Sequence, residues 1–435
     1  MNREILKLAI PNIISNITVP LLGLVDMTLM GHLSSPVYIG AIALGGTIFS
    51  VLYSFFSFLR AGTTGFTAQS YGSKDQSEIS YSLYRSFTIA IFASLLILVL
   101  QHPIAKLNLI ILEGSDELLN LAITYFYVRI WAAPANMLLY CLNGWFIGMQ
   151  NTKIPMTIAI VINVLNIVFS VFFVLVMHRD VEGVALGTVI AQYCGLATAL
   201  IFLFTKYKHY LIKIDVKTLI DINKLKRFFK VNTDLMIRSI LLVFTIAFFN
   251  IQSASFGDDI LSVNMILMQF FYIFSYFTDG FAYAGEALVG KFIGSRDSAS
   301  LNLVVRQLFK WGMYISLPFA IVYAIFPTPF VKMISDNPVI IEQVQPYYIY
   351  MVLIPVITFA AFLWDGIYIG ATASKAIRNT MIISSLLVFL PLRYLLVPVW
   401  GNHGLWIAFL CFMVARGVTM TLSAKKNILQ AIKDN

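Results

Sequence analysis

Apolar residues in this chain run in long, nearly unbroken blocks. They show neither the two-residue alternation of a half-buried strand nor the narrow stripe of a surface helix. A block of about 20 apolar residues is what an α-helix needs to cross a hydrocarbon core roughly 30 Å thick. Counted this way, twelve spans are expected, near 8–31, 38–62, 84–107, 122–149, 154–177, 182–205, 232–255, 260–287, 306–328, 344–371, 379–399 and 402–424. The pattern predicts an all-α polytopic membrane protein. An even number of spans puts both termini on one side.

Short motifs recur at a fixed interval. Y-G-S-K-D (Tyr71–Asp75) returns as I-G-S-R-D (Ile293–Asp297), 222 positions later. N-G-W-F-I-G (Asn143–Gly148) returns as D-G-I-Y-I-G (Asp365–Gly370), again 222 later. The chain therefore reads as two six-helix lobes, 1–205 and 232–435, joined by a basic linker at 206–231. Six spans separate the copies, so both lobes share one orientation, a parallel repeat about a pseudo-twofold axis. Transporters built from such repeats bind substrate between lobes and rock to give alternating access.

Composition agrees with a membrane class: 59% of residues are apolar and 12% charged, about half the charge of a soluble domain. The net charge of +9 alone would admit a nucleic-acid partner, but its placement argues for orientation instead. With a cytoplasmic N-terminus, 22 of the 30 basic residues fall in cytoplasmic segments and three (Lys106, Arg179, Lys332) in external loops. The other five (Arg60, Arg129, Arg238, Arg393, Arg416) lie in or at the edges of spans. The positive-inside rule then places both termini in the cytoplasm of a cell (plasma or inner) membrane. Lysines and arginines from Lys206 to Lys230 supply orientation and attraction to anionic headgroups, so the bilayer is the expected partner and no nucleic acid is. Cys141, Cys194 and Cys411 fall inside apolar spans and read as buried small residues. No metal-spaced Cys/His cluster and no nucleophile–base set occurs. The adjacent acids Asp258 and Asp259 lie in a short external loop without a further D-x-x-D partner, so no enzyme and no cofactor is expected.

Polar groups inside spans are costly, and each is a site candidate. Asp26 stands out, since an ionised carboxylate at that depth costs about 2.5–3.5 kcal/mol on insertion scales. It is relieved by a proton, a bound cation or water. Pro11 and Pro20 in the same span open the way to a bend. Asn163 and Asn166 project from neighbouring faces of span 5, with Ser170 one turn beyond Asn166; Thr188 lies in span 6. Together with Asp26 these are hard oxygens suited to a proton or sodium, not a transition metal. Asn136, Asn143, Asn163, Gln192, Asn264 and Gln269 are expected to line a substrate cavity. Asp279, Glu286, Asp365 and Arg238 form a second group of acids and a gate, with Arg238 pairing either with Asp234 or with one of the three acids. Many aromatic and Met side chains suit large amphipathic, often cationic, ligands.

The motifs together resemble the MATE (multidrug and toxic compound extrusion) transporters, and within them the DinF-like branch. The carrying segments are Gly23–Leu33, Gly144–Pro155, Asn163–Ser170, Glu182–Tyr193, Asp279–Gly290 and Trp364–Thr372. The resemblance implies two V-shaped lobes around a central cavity, a monomer, and export of drugs or metabolites against inward proton or sodium flow. It implies that Asp26 matches the span-1 acid of the family's cation site, Asn166 its span-5 amide and Thr188 its span-6 hydroxyl. Ser170 stands where many relatives carry a second acid, which favours protonation of Asp26 over a tight sodium site. The alternatives are a lipid or lipid-linked oligosaccharide flippase of the same superfamily and, in another class, an intramembrane transferase.

Overall fold

The structure, a computed structural model, describes the backbone of residues 1–31, 37–111 and 115–433 and the side chains of 1–18, 37–107 and 115–428. Among the described residues every regular element is a helix. The first half holds α1 (Asn2–Gly31), α2 (Val37–Phe56), α3 (Phe58–Gly72), α4 (Gln76–Val99), α5 (Gln101–Ile111), α6 (Asp116–Arg129), α7 (Ala133–Gly148), α8 (Lys153–Val171) and α9 (Val181–Lys206). A short α10 (Val216–Leu219) precedes α11 (Ile222–Ala254), α12 (Asp258–Gly294), α13 (Ser298–Ile325), α14 (Pro327–Lys332) and α15 (Pro338–Val344). The chain closes with α16 (Tyr348–Gly370), α17 (Ser374–Ile382) and α18 (Leu390–Lys433).

Nine helical runs among the described residues are long and apolar enough to cross a membrane. One of them, Ser374–Ile428, contains two expected spans, broken at Gly401 by a backbone of φ 53° and ψ −129°. Expected spans 8–31 and 122–149 are not among the nine. The second is interrupted by a 3₁₀ turn at Ile130–Ala132 between α6 and α7. Pro134 follows, and it lacks the N–H that an unbroken helix would send back to the Ile130 carbonyl. The first lies in α1, whose side chains beyond Thr18 are outside the described residues.

By packing, the chain forms two compact units, Ile14–Arg227, and Met1–Ile13 with Phe228–Asn435. Both dividing points fall inside helices, α1 and α11, rather than in loops. In the first unit α3 and α7 approach each other closely. A Cβ added at Gly144 would overlap the Arg60 carbonyl, and one at Gly148 would lie 2.9 Å from the Thr64 carbonyl. In the second unit α12 meets α16 the same way: Gly366 faces the Ala282 carbonyl, and a Cβ at Gly370 would lie 2.5 Å from that of Glu286. All four pairs differ by the interval read in the sequence. Small residues allow this because helices in lipid associate through packing and hydrogen bonds, not through a hydrophobic drive.

The turns repeat as well. Asp75 caps α4 by accepting the Glu78 N–H at 3.0 Å, and Asp297 caps α13 by accepting that of Ser300 at 2.9 Å. The residues before them, Lys74 and Arg296, take left-handed φ of 57° and 56°. The Ser300 hydroxyl and N–H hold the Asp297 carboxyl below the usual carboxylate range. Around this frame Trp145 and Phe146 centre the core of the first unit, the indole N–H donating to the Ile79 carbonyl at 2.9 Å. Phe249, Trp406 and Phe409 centre that of the second, with ring centroids 5.0–6.0 Å apart.

Candidate functional site

In the first unit three of the expected coupling residues, Asn166, Ser170 and Thr188, come together on α8 and α9. Asn166 and Ser170, one turn apart, are each 1% exposed. Asn166 Nδ2 donates to Thr188 Oγ1 at 2.9 Å, and that hydroxyl donates to the Val184 carbonyl at 3.0 Å. Gly187 lets α9 close onto this face, where a Cβ would stand 2.7 Å from Ser170 Oγ. Asn166 Oδ1 and Ser170 Oγ are thereby buried with no hydrogen-bond partner among the described residues. Each such orphan costs about 1–3 kcal/mol, so a proton donor or a cation placed there gains by satisfying it.

Asn163, one turn earlier, donates Nδ2 to the Thr18 carbonyl of α1 at 3.2 Å. Asp26 lies about two turns further along that helix. Its backbone is helical, and its side chain lies outside the described residues. Asn136, Asn143 and Gln192 are half-buried, and Asn143 Oδ1 likewise has no hydrogen-bond partner among the described residues.

The second unit handles its polar groups differently. Arg238 and Arg416 both bond Asp365 Oδ2, the Arg416 contact measuring 2.6 Å. The pairing that the sequence left open is thus with Asp365. Asp234 takes Arg378 at 2.6 Å and the Ser374 hydroxyl at 2.9 Å instead. Asp365 and Arg416 are buried, and Arg238 is about one-fifth exposed. Asp365 Oδ1 has no partner among the described residues. Asp279 is half-buried and acts electrostatically on Arg416. Glu286 is buried where α12 meets Gly370 of α16.

The expected cavity residues of this unit are dispersed. Gln269 is exposed. Asn264 is fully engaged: its amide donates to Ser253 Oγ (2.8 Å) and Asn402 Oδ1 (2.7 Å), and its oxygen accepts from Asn402 (2.9 Å) and Trp406 (2.8 Å).

Sequence reasoning did not single out Arg416, Arg378, Asn402 or Trp406. Arg416 carries the same signal as Asp26, a charge inside an apolar block, but enters the sequence reading only among the five basic residues in or at the edges of spans.

The MatE family model matches residues 11–172 and again 235–395, once on each half of the repeat. The chain is 36% identical to the DNA damage-inducible protein F of Escherichia coli K12, over 96% of this chain and 91% of that protein. It is 24% identical to the multidrug resistance protein MdtK of Photorhabdus laumondii, over 96% of this chain and 93% of that one. The fold matches the Vibrio cholerae MATE transporter VcmN in its bent form, with a TM-score of 0.87 and 17% identity, covering 99% of this chain and 97% of that one. On the repeated match and the full-length likeness, the chain belongs to the MATE family, and its relatives there are multi-pass membrane transporters rather than enzymes.

Proposed function

We propose that this protein is a proton-coupled antiporter of the cell membrane that exports amphipathic, often cationic, compounds by alternating access. Both termini face the cytoplasm, and the working unit is a monomer. The observation that carries the reading is the contrast between the acids. Asp365 already holds two guanidinium partners, whereas Asn166 and Ser170 are uncharged and each keeps an oxygen with no hydrogen-bond partner among the described residues. The Asp365 carboxylate is engaged by both arginines, so Asp26 is the better carrier. Asn163 ties its helix to α8 through the Thr18 carbonyl. Deprotonated Asp26 and its neighbours hold a cationic substrate; proton entry cancels the attraction, substrate leaves outward, and the proton is released inside.

Sodium is the second reading, favoured by the two orphan oxygens, which are hard donors. The flippase and transferase readings gain no support from the relatives above.

The test is substrate-driven dissipation of an imposed pH gradient in proteoliposomes, with and without sodium, for wild type and Asp26→Asn. Proton coupling requires a sodium-independent signal that the variant loses. A strict sodium requirement would replace the proton as coupling ion. Wild-type exchange by Asp26→Asn would end the assignment to Asp26.

A further inference from the structure

The segment between α9 and α11 is not a slack tether. Its backbone is fastened along the first turns of α4 by side chains one helical turn apart. Ser80 Oγ bonds the Tyr210 carbonyl and accepts the Ile212 N–H at 3.3 Å. Tyr84 donates to the Ile212 carbonyl at 2.8 Å, and Tyr81 OH accepts the Asp215 N–H at 3.1 Å. Arg85 donates to the Thr218 carbonyl at 3.2 Å and pairs with Glu78 at 2.9 Å, and Glu78 also takes Lys224 at 2.5 Å. Helix side chains thus supply the hydrogen bonds that a strand would otherwise find in a sheet.

This fastening fixes the depth of the segment. α4 is largely polar from Gln76 to Ser86 and then apolar, with Phe92, Leu95 and Val99 exposed. The fastened segment lies on the polar part, before the apolar stretch begins. Lys208, Lys213, Lys217 and Lys226 are exposed, and none has an ion-pair partner among the described residues. Interleaved with them, Ile214, Val216, Ile220 and Ile222 are 51–77% exposed. From 206 to 227 seven basic residues stand against Asp215 and Asp221, leaving an excess of five positive charges.

We infer that this fastened segment is an interfacial binding surface for anionic phospholipid headgroups, its lysines meeting phosphates and its aliphatic side chains entering the acyl boundary. Alternating cationic and aliphatic exposure is the signature of a segment lying in the interface. Because the backbone is already ordered, binding pays little of the ordering cost that a free polybasic tail would. The leaflet, cytoplasmic, rests on the orientation proposed above; the surface itself does not.

The full-length protein would be placed in nanodiscs of mixed phosphatidylcholine and phosphatidylglycerol, and retained lipids counted by native mass spectrometry at rising salt. Wild type should retain phosphatidylglycerol preferentially, and the preference should fall as salt rises. Lys208→Gln/Lys213→Gln/Lys217→Gln/Lys226→Gln should cut it by at least about tenfold, and the matching Lys→Arg set should keep it. Tyr84→Phe, which unfastens part of the segment, should give an intermediate loss. An unchanged preference in the Gln set, insensitivity to salt, or equal competition by inorganic phosphate would each overturn the inference. The salt dependence and the Lys→Arg set decide the matter even if the Gln set does not fold. Failure here would leave the coupling mechanism intact, because the readout is lipid, not transport.

Discussion

The two halves of this molecule share a scaffold and differ in how they treat buried polarity. Gly144 and Gly148 against Arg60 and Thr64 have exact counterparts in Gly366 and Gly370 against Ala282 and Glu286. On that common frame, position 143 is an asparagine whose oxygen has no partner among the described residues, and its counterpart 365 is an aspartate clasped by two arginines. Among the described residues, the polar group of the first half, at Asn166, Thr188 and Ser170, is uncharged and leaves two oxygens unsaturated; that of the second leaves Asp365 Oδ1 unsaturated as well, but its charges are compensated. A compensated cluster is expensive to disturb and holds one arrangement. An unsaturated one is poised to accept something. The lesson is that a repeat can preserve packing while dividing its buried polar groups into a charge-paired set and an uncharged one.

That division can be tested by removing one part at a time. The largest effect is expected at Arg416→Ala, which leaves a buried carboxylate short of a partner and should cost about 3–5 kcal/mol. It would be read as lost folded yield or a lowered thermal midpoint in detergent. Arg416→Met combined with Asp365→Leu should recover part of that loss, since Arg238 gives up the same carboxylate; no recovery would mean that Arg416 acts through packing alone. Next come Gly144→Ala and Gly366→Ala, each forcing a methyl onto a carbonyl and costing about 1–3 kcal/mol. Similar midpoints for the two would support equivalent scaffolds, and a strongly unequal pair would break the comparison. Asn166→Leu removes a hydrogen bond and an orphan oxygen together, so stability should move by no more than about 1 kcal/mol. Transport, by contrast, should be impaired. The smallest effect is expected from Asp75→Ala and Asp297→Ala, which should lower the midpoint by no more than about 3 °C each. For Asp297 the sign with pH follows from its lowered folded-state value. The cap contributes fully above the ordinary aspartate range and is lost as pH falls through that lowered value.

Much of the frame was legible in the sequence. Unbroken apolar blocks marked helices, and the two motif pairs at one interval marked the repeat that the glycine contacts bear out. Span 4 was read as continuous because Pro134 lies between apolar neighbours, and hydropathy does not register a missing N–H. The grouping of Asn166 with Thr188 was anticipated from residue type and resemblance. The orphan state of Asn166 Oδ1 and Ser170 Oγ was not, because it depends on how closely Gly187 brings α9. Arg416 was within reach of the rule applied to Asp26. The fastening of the linker was not, because Ser80, Tyr81 and Tyr84 bond backbone atoms that every residue carries.

The central claim, that coupling resides in the first half and not in the compensated acid of the second, is tested most directly by proton-to-substrate stoichiometry. It would be measured in proteoliposomes for Asp26→Asn beside the Asp365→Leu/Arg416→Met pair. The expected result is no substrate-driven proton movement in the first and wild-type stoichiometry in the second. Proton movement retained by Asp26→Asn and lost by the Asp365 pair would contradict the account.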